Sequence, residues 1–293
     1  MNPRRVAPAR IAFDTSSPLA SLAAAAPALA LLVGVSACSA RHNDPPENPP
    51  PAPLGTGERI RDITNPNAPT HAASGATVSI SGATYLLTDT FDETSNGKSK
   101  GTIYLQDVGS VAPFSGISLF SPTFNPADLA LAPGDVLTLQ GQFVEEASIG
   151  AATFGNGEVL IQMSKPVVQF EFDGLPPQVG SSTWAPAVIQ ATDLDDYNKG
   201  LQWEGMLVTI QNVTFLDNLN NDGNGRYTAH ITSDGTTNGP TITNELFDLN
   251  AWNQAQTGPK IIKGTTYKSI TGVVTWFFNF HLAPRSPNDI VEQ

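Results

Sequence analysis

The stretch Thr77-Val-Ser-Ile-Ser-Gly-Ala-Thr-Tyr-Leu-Leu87 decides the fold class, because its apolar and polar side chains alternate over most of its length. Such alternation is typical of a half-buried β-strand, whose successive side chains point to opposite faces. Helical periodicity is weak after the first 38 residues, so we expect an all-β protein. Four further strands are predicted in the first half, at 101–107, 116–120, 131–144 and 158–163, the last ending before Pro166.

The second half of the chain repeats this order of strands. The five strands are echoed in turn by residues 205–215, 225–234, 244–248, 263–274 and 278–284. A period of roughly 120–130 residues indicates a duplicated domain and not a solenoid repeat. Five strands per unit predict a small closed barrel of the OB type. We therefore expect two tandem OB-like five-stranded β-barrels, at 58–170 and 201–293.

A connector at 171–200 is expected to join the two barrels. It contains Thr192-Asp-Leu-Asp-Asp196, which we interpret as one exposed helical turn capped by the Thr192 side chain.

Parts of the second half resemble a known family. The segments are 187–194, 202–210 (Gln-Trp-Glu-Gly-Met-Leu-Val-Thr-Ile) and 270–290, which ends Leu-Ala-Pro-Arg-Ser-Pro-Asn-Asp-Ile. They resemble the OB-fold module that stands beside secreted bacterial endonucleases. The resemblance covers about residues 185–291, and residues 58–168 share it more faintly. It implies the fold and an association with nucleases, but it does not identify a reaction.

The N-terminus has the three parts of an export signal. Arg4, Arg5 and Arg10 precede an apolar run from Leu19 to Val35, and Val35-Ser-Ala-Cys38 follows. This last stretch resembles the lipobox of bacterial lipoproteins, which implies cleavage after residue 37 and lipidation of Cys38. Ser39 after the cysteine resembles the sorting pattern of Gram-negative outer-membrane lipoproteins. The alternatives are a plain signal peptide and an N-terminal membrane helix, although Pro18 and Pro27 weaken the helix.

Residues 38–57 are predicted to be a disordered tether. The segment Asp44–Pro53 is rich in proline, which lacks a backbone donor and fixes φ. Such a segment stays extended and holds the folded body away from the membrane.

Charge and cysteine content restrict the partners. The formal net charge is −12 and the lysines are scattered, so tight binding to phosphate backbones is not favoured. Cys38 is the single cysteine, which leaves no thiol for a disulfide or a thiolate metal site once it carries lipid.

Catalytic residues are not found in the sequence. The four histidines are His42, His71, His230 and His281, and none stands in a nucleophile elbow, a Walker loop or a metalloprotease motif. We therefore predict no catalytic residue and no enzyme activity. The family resemblance keeps a metal-dependent nuclease open as an alternative.

One loop, Asp217–Gly225, has partial metal-ligand spacing. Asn218, Asn220 and Asp222 match the alternate oxygen ligands of a calcium loop. Asn stands where the first Asp belongs, and Ala229 stands where a bidentate Glu belongs. We favour a polar hairpin turn and no cofactor, with calcium as the alternative.

Aromatic residues are the other candidate site. Trp203, Tyr227 and Trp276 are candidate ligand contacts, because OB folds stack bases on aromatic rings in a basic groove. We favour the alternative, that most of the aromatic residues fill the barrel core and close its ends. A surface cluster of Arg59, Arg61, Arg226 and Arg285 would favour nucleic acid.

Taken in this order, the residues predict a lipid-anchored cell-envelope protein with a non-catalytic binding or scaffolding role. Its expected partners are the outer membrane, through the lipid, and a protein or polymer ligand of the envelope. An extracytoplasmic nucleic-acid-binding module associated with a nuclease is the first alternative.

Overall fold

Residues 49–293 form one compact unit in the computed structural model. The structure describes residues 57–89, 91, 101–119, 131–147, 159–172, 186–221, 223, 225–236, 239–258 and 260–293. Cys38, the predicted signal sequence and all but the last residue of the predicted tether lie outside the described residues. Among the described residues, no helix has both the length and the apolar character needed to cross a bilayer.

The first barrel follows a short helix and is built from five strands. Their bounds are α1 Ile60–Thr64, β1 Thr77–Thr88, β2 Ile103–Asp107, β3 Gly116–Leu119, β4 Val136–Ala147 and β5 Val159–Phe172. The strands close in the order β1-β2-β3-β5-β4. All neighbours are antiparallel except β3 and β5, which are parallel. This closed Greek-key arrangement is that of an OB barrel.

The second barrel has the same topology. Its elements are β6 Ala187–Ile189, a 3-10 helix Ala191–Leu194, α2 Tyr197–Gly200, β7 Leu207–Phe215, β8 Asn220–Asn221, β9 Tyr227–Thr232, β10 Thr241–Thr243, α3 Leu249–Ala255, β11 Thr266–Trp276, β12 Phe280–Ala283, a 3-10 helix Pro287–Asp289 and β13 Ile290–Glu292. The closed ring is β7-β9-β10-β12-β11, with β10 and β12 parallel and β11 paired back to β7. The prediction of two OB-like barrels is confirmed.

The duplication extends to the residues before the first strand of each barrel. Glu58 pairs in parallel with Ile80 of β1, just as β6 pairs in parallel with β7. In both units this pairing leads directly into a short helix. The Asp107 carboxylate accepts hydrogen bonds from the amides of Ile60 (2.8 Å) and Arg61 (3.1 Å) at the start of α1.

Each barrel encloses its own apolar core. The first core includes Ile80, Leu105, Leu139 and Phe143, and the second includes Ile210, Phe215, Tyr267 and Phe280. A third buried cluster joins residues of both barrels, Leu86, Tyr104, Leu207, Leu246, Val273 and Ala283. Because burying a large aliphatic side chain contributes about 1.5–3 kcal/mol, this third cluster is a substantial source of cohesion between the barrels.

Three local expectations were wrong. Strand β5 does not end before Pro166 but continues to Phe172, because the register shifts between Gln140 and Gln142 of β4 opposite this proline. A bulge removes the need for the amide that proline lacks. The third strand of the second barrel is Thr241–Thr243 and not 244–248.

The third wrong expectation concerns the connector. Its 3-10 helix begins after Gln190, whose backbone amide donates to Asp193 Oδ2 (2.9 Å), and Thr192 lies inside the helix and not at its cap. The helical turn that follows, α2, is capped by the Asp196 side chain, which accepts from the Lys199 amide.

Candidate functional site

The backbones of the two barrels approach each other closely where β3 meets the residues just before β7. We call this contact, formed by residues 114–119 and 159–163 of the first barrel and 197–207 of the second, the joint. The Phe114 amide donates to the Gln202 carbonyl (2.7 Å), and the Leu207 amide donates to Gln106 Oε1 (2.9 Å). The Tyr197 hydroxyl bonds both the amide and the carbonyl of Val159, at 2.7 and 3.0 Å. The barrels are therefore linked by polar as well as apolar contacts.

Two glycines permit this approach. A Cβ atom on Gly116 would lie 2.6 Å from the Gly205 carbonyl carbon and 2.7 Å from Met206 Cγ. A Cβ atom on Gly205 would lie 2.7 Å from the Ile117 nitrogen, and Gly205 also has a φ of 73°. The two backbones pack together here because neither residue carries a side chain.

Glu204 places a carboxyl group inside the joint. Its side chain is almost fully buried, and Oε2 accepts a long hydrogen bond of 3.4 Å from the Ile161 amide on β5. Oε1 has no hydrogen-bond partner among the described residues. Burial raises the pKa of Glu204 to about 8, because an ionised carboxylate is poorly solvated there. At neutral pH this residue is therefore mainly a neutral acid.

A buried ion pair lies on the outer face of the second barrel. Arg226, directly before β9, pairs with Glu245, two residues after β10, and both side chains are more than nine-tenths buried. The Arg226 guanidinium also lies 4.0 Å from the Phe277 ring centroid and 4.5 Å from that of Phe91, which belongs to the first barrel. Cation–π contact with rings of both barrels adds to the link between them.

Polar side chains form a row beside this pair. Thr241, His281 and Thr275 are neighbours across β10, β12 and β11, and all three are buried. The Thr241 hydroxyl and His281 Nδ1 have no hydrogen-bond partner among the described residues, whereas the Thr275 hydroxyl is close enough to bond the Glu245 carboxyl group. Burial, reinforced by Arg226, lowers the pKa of His281 to about 4, so its ring is neutral. The row is therefore uncharged and closed to solvent.

β9 carries an exposed polar group on the second barrel. His230 is exposed, and its Nδ1 lies 2.7 Å from Asp217 Oδ2, while its amide donates to Asp217 Oδ1. Nearby, Asp195 has a pKa raised to about 6 by burial and by Asp234. The exposed His230 of β9 therefore lies in an acidic environment formed by Asp217, Asp195 and Asp234.

The predicted metal loop is partly described. Asn218 Oδ1 accepts from the Lys263 amide (2.9 Å), and the Asn220 side chain donates to the Asn218 carbonyl (2.7 Å). Asn221 Oδ1 accepts from the Gly223 and Gly225 amides in a turn-like arrangement. Asp222 lies outside the described residues. Within the part of the chain that is described, no group of three or more His, Cys, Asp or Glu side chains is placed to hold a metal.

The predicted aromatic residues occupy different surroundings. Trp276 has its ring centroid 4.7 Å from that of Phe280 and 6.1 Å from that of Tyr197, and Trp203 also packs against the second core. Tyr227 is half-buried at the start of β9, where its amide donates to Asn244 Oδ1. The two tryptophans support the barrel, and ligand contact by any of the three stays a prediction.

The four arginines considered for nucleic-acid binding all have local partners. Arg285 makes a bidentate pair with Asp289 at 2.9 and 3.0 Å, and Arg61 lies 3.8 Å from Asp62. Arg59 donates to the carbonyls of Ser81 and Gly82. With Arg226 held by Glu245, three of the four positive charges face a carboxylate.

Neither Glu204 nor the Arg226–Glu245 pair was predicted from the sequence. Glu204 stands in the Trp203-Glu-Gly-Met206 segment, and no local feature of that segment marks the glutamate as buried. The joint and the Arg226 contacts link the two barrels. The buried titratable groups Glu204 and His281 are both neutral at pH 7. Comparison of the chain with models of protein families and with curated proteins finds no match.

Proposed function

We propose that this chain is a non-catalytic binding protein of the bacterial cell envelope, held to the outer membrane by a lipid on Cys38. The lone cysteine after Val35-Ser-Ala supports the anchor. The observation that carries the binding role is the pair of closed OB-like barrels fastened through the joint. OB barrels bind extended polymers across their second and third strands and the loops beside them.

The charge of the second barrel supports a neutral or basic ligand. In the second barrel, the corresponding face includes β9, β10, residues 216–221 before β9 and the turn at 277–279. Its exposed portion carries His230 beside Asp217. The arginine nearest to this face, Arg226, is buried and paired with Glu245. We therefore favour a glycan or protein of the envelope over a phosphate polymer. A nucleic-acid-binding module associated with a nuclease remains the alternative that the family resemblance supports.

The test uses the full chain and its Cys38→Ala variant. We expect the wild-type protein to fractionate with the outer membrane and the variant to be released in soluble form. Equal membrane association of the two proteins would contradict the lipid anchor.

Binding is measured separately, with the released variant. We expect it to co-sediment with purified peptidoglycan sacculi, and His230→Ala to weaken that binding by about 1 kcal/mol, which is roughly fivefold. Lys268→Ala, on a strand not paired with β9, is the matched control. No co-sedimentation would contradict a glycan ligand, and equal binding by both variants would exclude the β9 face as its site.

A further inference from the structure

Glu204 is a titratable group that the proposed function does not use. The turn that contains it belongs to the second barrel, whereas the amide that its carboxyl group contacts belongs to β5 of the first. Its backbone forms a parallel bridge with Val274 of β11, which fixes the residue to its own barrel. The Glu204 backbone is therefore held in the second barrel, while its side chain reaches the first.

Among the described residues, the groups found beside Glu204 are uncharged. The Gly116 backbone of β3 lies against its carbonyl oxygen, the Ile161 amide of β5 lies against its carboxyl group, and Val274 of β11 pairs with its backbone. Only burial and the Ile161 amide contribute to its pKa among the described residues. The buried groups elsewhere on the second barrel's outer face, Arg226, Glu245 and His281, are not among the influences on Glu204.

A carboxyl group in this position tolerates only its neutral form. One oxygen has a single long hydrogen bond, and the other has no partner among the described residues. An ionised carboxylate with so few donors costs much more free energy in a buried site than a protonated one. Loss of the proton must therefore be accompanied by access of water to the joint.

We propose that Glu204 is a pH-sensitive latch, whose protonated carboxyl keeps the two barrels closed together and whose ionisation opens the joint between them. The latch does not depend on what the protein binds. It works through the interface alone, where Gly116 and Gly205 bring the backbones together.

The direction of the pH effect follows from the two states. In the open joint the carboxyl is in water and releases its proton near its usual pKa of 4.5, whereas the closed joint raises that pKa to about 8. The stabilisation of the closed joint by Glu204 is thus complete below pH 4.5, falls as pH rises, and is lost above pH 8. Between these limits the opening constant rises about tenfold per pH unit.

Hydrogen–deuterium exchange of the full-length wild-type protein tests whether the joint opens as pH rises. After correction for the intrinsic exchange rate, we expect protection of the peptides covering 116–119 and 159–163 to fall about tenfold per pH unit between pH 5 and 8. Peptides of β9, which lies outside the joint, serve as the internal reference. Unchanged protection of the joint across this range would overturn the proposal.

The variant Glu204→Gln keeps the shape and the acceptor of the side chain but has no proton to lose. We expect its joint peptides to show pH-independent protection, while the exposed control Glu58→Gln retains the wild-type profile. If Glu204→Gln keeps the wild-type pH dependence, another group controls the joint. The exchange measurement on the wild-type protein does not need this variant, so the proposal can be refuted even if Glu204→Gln fails to fold.

Discussion

Replacing Gly116 by alanine tests the joint with a single methyl group. The new Cβ atom would lie 2.6 Å from the Gly205 carbonyl carbon, about 1 Å closer than ordinary carbon–carbon contact. The atoms that it would meet include backbone atoms of residues 204 and 205, which cannot rotate away as the end of a side chain does. The two barrels must therefore separate slightly, which weakens the bonds of Glu204 to Ile161 and of Leu207 to Gln106.

The expected cost combines overpacking and loosened hydrogen bonds. Overpacking costs about 1–3 kcal/mol, and weakening one or two hydrogen bonds adds about 1 kcal/mol. A total of about 2–4 kcal/mol lowers Tm by about 5–15 °C for a folded body of this size.

Differential scanning calorimetry provides the measurement. We expect Gly116→Ala to lower Tm and to split the transition, since the barrels lose their coupling before their cores. Gly258→Ala is the control, because its Cβ atom would meet nothing closer than 3.5 Å and its φ is not in the left-handed region. A Gly116→Ala Tm within about 1 °C of wild type would refute the tight contact.

Two further predictions concern charge. Glu245→Gln leaves the buried Arg226 without its counter-charge, so we expect the free energy of unfolding in urea to fall by about 3–5 kcal/mol. The double variant Arg226→Met with Glu245→Leu should lose less, because it leaves no buried charge unpaired. A double variant that is less stable than the single one would contradict this. The protein should show no Kd for single- or double-stranded DNA or RNA below about 1 μM at 150 mM salt and no EDTA-sensitive nicking with Mg²⁺, Mn²⁺ or Ca²⁺. Tight binding or such nicking would instead favour the alternative that the resemblance to nuclease-associated modules supports.

The barrels were predictable because their strands are marked locally. β1 and β7 alternate apolar and polar residues, and turn residues separate the successive strands of each half. Once two halves show five strands in the same order, the closed OB arrangement is the economical solution for burying both inner faces.

Exact strand limits were less predictable, because pairing overrides local preference. Pro166 was expected to end a strand, but the bulge in β4 opposite it allows β5 to continue. The third strand of the second barrel was placed at 244–248, yet pairing with β9 and β12 selects Thr241–Thr243. In both cases the deciding contact comes from another strand.

The joint was not predictable from local pattern. Glu204 meets an amide 43 residues earlier, and the Leu207 amide meets a side chain 101 residues earlier. A glutamate before a strand usually lies in solvent, and only the first barrel makes this one buried. Arg226 was likewise considered as a surface charge, and its burial depends on Glu245 and on a phenylalanine of the other barrel.

The shared apolar cluster has a consequence for biogenesis. The first barrel is synthesised before the second and, until β7 and β11 arrive, presents Leu86 and Tyr104 without their partners Leu207 and Val273. During that interval the growing chain carries an adhesive surface, which is a hazard for aggregation. Chains that stop after the first barrel should therefore be retained by chaperones and removed by proteases. Only chains that complete the second barrel cover the apolar surface of the first.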